Sequence, residues 1–435
     1  MPIKTEKEIP RALLVSIKTP KISDEETLES LEELERLVTT LGFRVIRKEI
    51  QRQATTSGAT AVGSGKLMEL ARLTGGKGPS LTEENFTISA EAPEVLATVV
   101  IFDCELRPSQ LRHLENGLGV EVLDRTGVII EIFSRHAKTR ASRLQVEIAR
   151  LNYISPRVRE TGGSSERQAG RGSGESALQT ERRSIRDRLA ELKHELASVQ
   201  EEQSNHRNVR SDQLCVALVG YTNAGKSSTM RALTGSDVLV EDKLFATLDT
   251  TVRTMKPETH PKILVSDTVG FIKKLPHDLV ASFRSTLDEA LNASLLLYVV
   301  DASDPSFRAQ LDVVDDALRE VGVRDTPFIL VLNKSDRVDA QHQKLLKREF
   351  PDAILVSALQ KDDIARLRER ILHFFEQGMV DEEFLIPYSL EGAIGEIRAS
   401  MRVVKESFEP EGTRFTLRAS ADAFGKFKKK FPTLA

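Results

Sequence analysis

The chain has 435 residues, about three times the ~150 of an average domain, so two to four domains are expected. Its 62 basic and 65 acidic residues leave a formal net charge of −3, and a 40% hydrophobic, 29% charged composition is that of a soluble globular protein. Both a disordered tail protein and a histone-like basic protein are excluded. The strongest apolar run, Leu295–Val300, stops at Asp301, far short of the roughly 18 residues that cross a bilayer, so no membrane span is expected. Lys4, Glu6, Lys7, Glu8 and Arg11 precede the first short apolar stretch. That pattern disfavours a secretory signal and points to the cytoplasm. Cys104 and Cys215 each fall in an apolar stretch that reads as a buried strand, and the histidines are scattered. Neither a disulfide framework nor a structural zinc site is expected.

Residues 1–134 alternate short β-branched runs with amphipathic segments, which predicts a small parallel α/β domain. The strands are expected at Ala12–Ile17, Phe43–Ile50, Ala97–Phe102 and Val120–Leu123, with helices at Glu25–Leu41, Lys66–Leu73 and Pro108–Leu118 between them. Leu28, Leu31, Leu34, Leu37, Val38 and Leu41 mark the buried stripe of the first helix, and the acidic run from Asp24 to Glu35 reads as its solvated face. Over residues 135–210, Ala137, Ala141, Leu144, Ile148 and Leu151 recur at steps of four and three, as do Ile185, Leu189, Leu192, Leu196 and Val199. This spacing predicts two helices packed as an antiparallel hairpin. Their connection, 161–174, holds five glycines and no large apolar side chain, so it has no core of its own. Residues 211–378 return to an α/β pattern with strands at Leu214–Val219, Ile263–Ser266, Leu295–Val300, Phe328–Leu332 and Ile354–Val356. Strands this apolar imply a parallel sheet covered on both faces. Residues 379–435 suggest a small α+β appendage with a helix at Ala393–Ser407, a strand at Thr413–Arg418 and the run Lys426–Phe431, read as a solvated tail.

The first strand of the second α/β domain leads into Gly220-Tyr221-Thr222-Asn223-Ala224-Gly225-Lys226-Ser227. This is G-x-x-x-x-G-K-[ST] in its required context of strand, loop and helix. The glycines let backbone N–H groups turn inward around phosphates at a helix N-terminus. Lys226 is a point charge for the β and γ phosphates, and the Ser227 hydroxyl is a magnesium ligand. Asp267-Thr268-Val269-Gly270 ends the next strand, placing a carboxylate near the magnesium and the Gly270 N–H near the γ phosphate. Asn333-Lys334-Ser335-Asp336 ends another, where Asp336 can accept from guanine N1–H and its 2-amino group. In Ser357-Ala358-Leu359, the Ala358 N–H is expected to face guanine O6. Four such elements at successive strand ends predict a guanine-nucleotide site. An adenine-specific ATPase would leave Asp336 unexplained.

These sequences resemble the HflX family of translation-associated GTPases. Further matches are Phe245-Ala246-Thr247-Leu248-Asp249, similar to its first switch, and Pro108-Ser109-Gln110-Leu111, Val122-Leu123-Asp124-Arg125-Thr126-Gly127, Gly172-Ser173-Gly174-Glu175 and Gln179-Thr180-Glu181-Arg182-Arg183, similar to its N-terminal and linker signatures. The resemblance implies that Thr247 joins Ser227 on magnesium, and that Lys226, Thr247 and Gly270 carry the chemistry. Thr250 departs from the family's usual proline, and Ser173 and Ser176 from its proline and threonine. Phe271 follows Gly270, where Ras-like switches carry the glutamine that orients the attacking water. Either a partner completes the site, or Asn223 marks a potassium ion acting like an arginine finger; the plainer alternative is that Asn223 only braces the loop.

Between Arg135 and Arg188 lie 13 basic and six acidic residues, so this stretch carries +7 and the remainder −10. A basic hairpin whose glycine-rich tip holds Arg167 and Arg171 is suited to enter a crevice of phosphate backbone. The family resemblance directs it to ribosomal RNA of the large subunit, with Arg182 and Arg183 as further contacts, and implies dissociation of ribosomal subunits reset by hydrolysis. It also implies a second nucleotide site, for ATP, in the N-terminal domain, yet Gly63-Ser64-Gly65-Lys66 lacks P-loop spacing. The rival readings are a tRNA-modification G protein and a GTP-dependent signalling or scaffold module.

Overall fold

A computed structural model of the chain describes residues 9–54, 58, 60–78, 96–161, 177–208, 213–235, 244–245, 250–274 and 289–434. The chain divides near Gln200 into two compact units.

In the first unit, β1 (Arg11–Lys18), β2 (Arg44–Arg52), β3 (Val99–Phe102) and β4 (Glu121–Asp124) form a sheet in the order β2-β1-β3-β4, parallel throughout. Helix α1 (Asp24–Thr40) crosses between β1 and β2. Its start is set by a capping box in which Glu26 N donates to Ser23 Oγ (3.0 Å) and Ser23 N to Glu26 Oε2 (2.9 Å). Asp24, Glu25 and Glu26 in the first turn also suit the positive end of the helix dipole. Leu31, Leu34, Leu37 and Val38 are buried as expected, whereas Leu28 is exposed. The acidic run is not wholly a solvated face, because Glu33 is buried against Arg125. Helices α2 (Ser64–Thr74) and α3 (Pro108–Leu118) pack on Leu13, Val15 and Ile17 of β1.

An unanticipated helix, α4 (Arg125–His136), follows β4 directly. Asp124 caps it, accepting from Gly127 N at 2.8 Å. The same carboxylate accepts from Tyr153 Oη (2.6 Å), Leu106 N (3.2 Å) and Arg157 (3.3 Å). The next residue, Arg125, is buried and reaches Asp103 at 2.8 Å and Glu33. A Cβ on Gly127 would lie 2.6 Å from the Tyr153 hydroxyl, so glycine permits the close approach. The signature Asp124-Arg125-Thr126-Gly127 therefore ties the sheet edge to its neighbouring helices.

The hairpin consists of α5 (Arg140–Thr161) and α6 (Ala177–Asn208). Its seam contains Ala141, Leu144, Ile148 and Leu151 against Leu189, Leu192, Leu196 and Val199. The antiparallel register is visible in the pairs Arg140–Glu195 (2.7 Å) and Arg188–Glu147 (3.0 Å). Ala137 and Ile185 lie outside this seam, Ala137 because it ends α4 in an extended conformation. Residues 162–176, with Arg167 and Arg171, lie outside the described residues. Cys215 lies on a strand, but Cys104 lies just beyond β3; both are half-buried.

In the second unit, β5 (Leu214–Gly220), β6 (Thr251–Thr254), β7 (Ile263–Asp267), β8 (Leu295–Asp301), β9 (Phe328–Asn333) and β10 (Ile354–Leu355) form a sheet in the order β10-β9-β8-β5-β7-β6. The five anticipated strands are parallel; β6, not foreseen, pairs antiparallel with β7 at the edge. Its sequence, Thr-Val-Arg-Thr, is too short and polar to announce a strand.

The last segment is a three-stranded antiparallel sheet, order β11-β13-β12, of β11 (Val380–Ile386), β12 (Arg402–Glu409) and β13 (Gly412–Ala419). The helix expected to reach Ser407 ends at Ser400, because residues from Arg402 onward hydrogen-bond to β13 instead. Lys426–Phe431 is not a solvated tail either. It completes the helix Ala421–Lys430, in which Phe424 and Phe427 enter the core while Lys428 and Lys430 pair with Glu382 and Glu396 at 2.7 Å.

Candidate functional site

The C-terminal ends of β5, β7, β8 and β9 converge, as ligand-binding edges of parallel sheets do. The loop after β5 turns through two left-handed residues before α7 (Lys226–Thr234): Asn223 at φ 61° and Gly225 at φ 96°. Asparagine tolerates that region better than most residues, and glycine without strain. Space dictates the glycines as well. A Cβ on Gly220 would meet Val299 O at 2.1 Å, and one on Gly225 would meet Asn333 Nδ2 at 2.1 Å. On Gly270 it would approach Thr222 Cα and Cγ2 at 2.9 Å and Lys226 Nζ at 3.0 Å.

The loop is zipped to the segment after β7. Phe271 N donates to Gly220 O (3.1 Å), Thr222 N to Phe271 O (2.8 Å), and Lys273 N to the Tyr221 hydroxyl (2.6 Å). Phe271 is therefore a bracing residue: its ring is buried and its backbone joins the two phosphate-side elements. Lys226 is buried, with Nζ donating to the carbonyls of Tyr221 (2.8 Å) and Gly220 (3.2 Å). Burial pulls its ammonium down to about 8, with Asp267 opposing the shift. Ser227 Oγ donates to Asp267 Oδ2 at 2.6 Å, and Thr268 Oγ1 to Leu218 O at 2.7 Å. Ser227 and Asp267 make a hard, all-oxygen pair, which fits magnesium. Val269 is buried beside them. Phe245 is buried at φ 58°, whereas Ala246, Thr247, Leu248 and Asp249 lie outside the described residues.

At the end of β9, Asn333 acts as a staple. Its Nδ2 donates to Ala224 O (2.9 Å), and its Oδ1 accepts from Ala358 N (3.1 Å). The Ala358 N–H, expected to face guanine O6, is thus directed at Asn333 because the two strand ends adjoin. Lys334 Nζ donates to Asn223 O (2.8 Å) and Asp301 Oδ2 (2.7 Å). Ser335 and Asp336 form a short 3-10 turn that leaves the Asp336 carboxylate exposed. Ser357 N donates to Asp363 Oδ2 (2.7 Å), and Leu359, 77% exposed, stands at the rim. Two residues here were missed from sequence: Asp301, signalled by an acid at the end of a parallel strand, and Asp363, which carries no comparable local signal. Elsewhere, Gly63-Ser64-Gly65-Lys66 opens α2, and Lys66 is engaged by Glu49 and by Glu69 at 3.0 Å.

Three family models match the chain: "GTP-binding GTPase N-terminal" over residues 28–134, "GTP-binding GTPase Middle Region" over 136–210 and "50S ribosome-binding GTPase" over 215–334. The GTPase HflX of Gluconacetobacter diazotrophicus is 54% identical over 98% of this chain and 99% of its own length. That of Caldanaerobacter subterraneus subsp. tengcongensis is 38% identical over 92% of this chain and 89% of its own. Among solved structures, a complex of SsGBP with GDP aligns at 25% identity over 85% of this chain and 99% of its own, with a TM-score of 0.46. With a phosphate loop, an Asp267–Gly270 element and an Asn333–Asp336 element on one sheet edge, and near-full-length relatives of that one name, the chain belongs to the HflX family of GTPases.

Proposed function

We propose that this GTPase docks on the large ribosomal subunit in its GTP state, inserts the basic hairpin and its 161–174 loop against ribosomal RNA, and drives the subunits apart; hydrolysis then resets it. The observation that carries this reading is the match of 215–334 to a 50S ribosome-binding GTPase, joined to the stretch Arg135–Arg188, which carries +7 in an otherwise acidic chain. On the hairpin, Arg183 is exposed and lies 4.0 Å from Asp187, and Arg182 is half-buried.

At the phosphate site, Lys226 leaves its two loop carbonyls for the β and γ oxygens, and the Gly270 N–H meets the γ phosphate. Ser227, with Asp267 behind it, would hold magnesium, which when bound neutralises phosphate charge. The buried Phe271 ring has no group that could orient water. Hydrolysis accordingly waits on a partner, and the large subunit is that partner. An Asn223-associated potassium ion is the rival supply of positive charge; equal rates in sodium and potassium would remove it. Among the described residues of the N-terminal domain none assigns ATP, since Lys66 of the glycine turn is held by Glu49 and Glu69.

The test is GTP hydrolysis by the full chain with and without large subunits, at low and high salt, for the intact protein and a form lacking 161–174. Stimulation that weakens with salt is expected, and no stimulation at all would refute the ribosomal reading. Subunit dissociation that survives the deletion would remove the loop from the mechanism.

A further inference from the structure

Asp301 belongs to none of the four motifs, yet it ends β8 directly opposite Asn333 in the parallel register. One carboxylate oxygen receives Lys334 Nζ at 2.7 Å. The other accepts from Ser303 N (3.0 Å) and Ser303 Oγ (2.5 Å). The acid is therefore held from behind while it holds the lysine. Lys334 has a second anchor, the Asn223 carbonyl at 2.8 Å. Both partners of the ion pair are largely shielded, with side-chain exposures of 16% and 17%. Such a pair is screened less than a surface salt bridge.

We propose that Asp301 is a positioning residue for the nucleotide base, acting through Lys334. A lysine stem has four rotatable carbons and loses rotamer entropy on ordering. Tethering its ammonium at two points, on β8 and on the phosphate loop, orders the stem before the base arrives. The apolar methylenes then form a preset platform for the ring face, while Asp336 reads the ring edge. Asp301 thus contributes affinity for any purine nucleotide, and Asp336 contributes the preference for guanine. This division rests on the assignment of the base site to Asn333–Asp336.

Equilibrium binding of GDP and IDP to the full chain is measured for the parent protein, D301N, K334M and the D301N/K334M double variant, with D336N as control. IDP lacks the 2-amino group. D301N keeps an acceptor for Ser303 but loses the charge facing Lys334. It is expected to raise Kd about tenfold for both nucleotides, with the GDP-to-IDP preference retained, and to raise KM for GTP more than it lowers kcat. In the K334M background, D301N should add less than twofold. An unchanged Kd in D301N, or an equal loss with and without Lys334, would overturn the proposal, the latter by making Asp301 merely structural. A D336N variant that keeps the parental GDP preference would instead overturn the underlying site assignment.

Discussion

Asn333 offers the sharpest test of how the two halves of the candidate nucleotide site are joined. The residue is buried and makes two hydrogen bonds, giving one to Ala224 O of the phosphate loop and taking one from Ala358 N. Truncation in N333A orphans a carbonyl and an N–H, each costing about 1–3 kcal/mol unless water enters the space left behind. With partial replacement by water, a loss of about 2 kcal/mol of folding stability is expected, and Kd for GDP rises to the extent that the freed phosphate loop leaves its binding conformation. N333D is the more telling variant. It is isosteric and keeps the acceptor for Ala358, but it turns an oxygen toward the Ala224 carbonyl and buries a charge. The loss in N333D should therefore exceed that in N333A, both in nucleotide affinity by titration calorimetry and in thermal stability without nucleotide. An N333D protein that binds GDP better than N333A would refute the staple.

Lys226 and Arg125 yield two further expectations. Because burial lowers the Lys226 ammonium to about 8, the nucleotide-free protein loses that proton above this pH, whereas the unfolded chain keeps it to its ordinary value. Between those limits stability from this group rises with pH, and nucleotide binding takes up a proton and weakens. Calorimetry at about pH 9 in buffers of differing ionisation heat should show that uptake, and its absence would count against the shift. Replacing Arg125 by Met removes the guanidinium shared by Glu33 and Asp103, a loss of about 3–5 kcal/mol. Urea unfolding that shows less than about 1 kcal/mol would mean the cluster is not the tie that its burial implies.

Much of this protein is written in local patterns. Continuous apolar runs located the strands Arg11–Lys18 and Leu295–Asp301, and the four-three spacing located the hairpin seam from Ala141 to Leu151. Failures came where a partner overrides local preference. Arg402–Glu409 continues a helical pattern but is a strand because β13 lies beside it, and the lysine run ending at Phe431 is helical because Phe424 and Phe427 have a sheet to cover. Glu33 looks like one more solvated acid until Arg125 arrives from 92 residues away.

The phosphate and base motifs were legible for a related reason: each is a short stretch whose backbone and side chains act together, so spacing alone carries the chemistry. Sequence by itself determined the guanine-nucleotide motifs, the alternation of α/β units and the concentration of positive charge in the hairpin. Tertiary structure alone decided that Asn333 and Lys334 hold the loop after β5, that Phe271 braces it, and that Asp301 pairs with Lys334. Those roles depend on which strand ends become neighbours, and the parallel order β9-β8-β5-β7 brings together side chains that no local window contains.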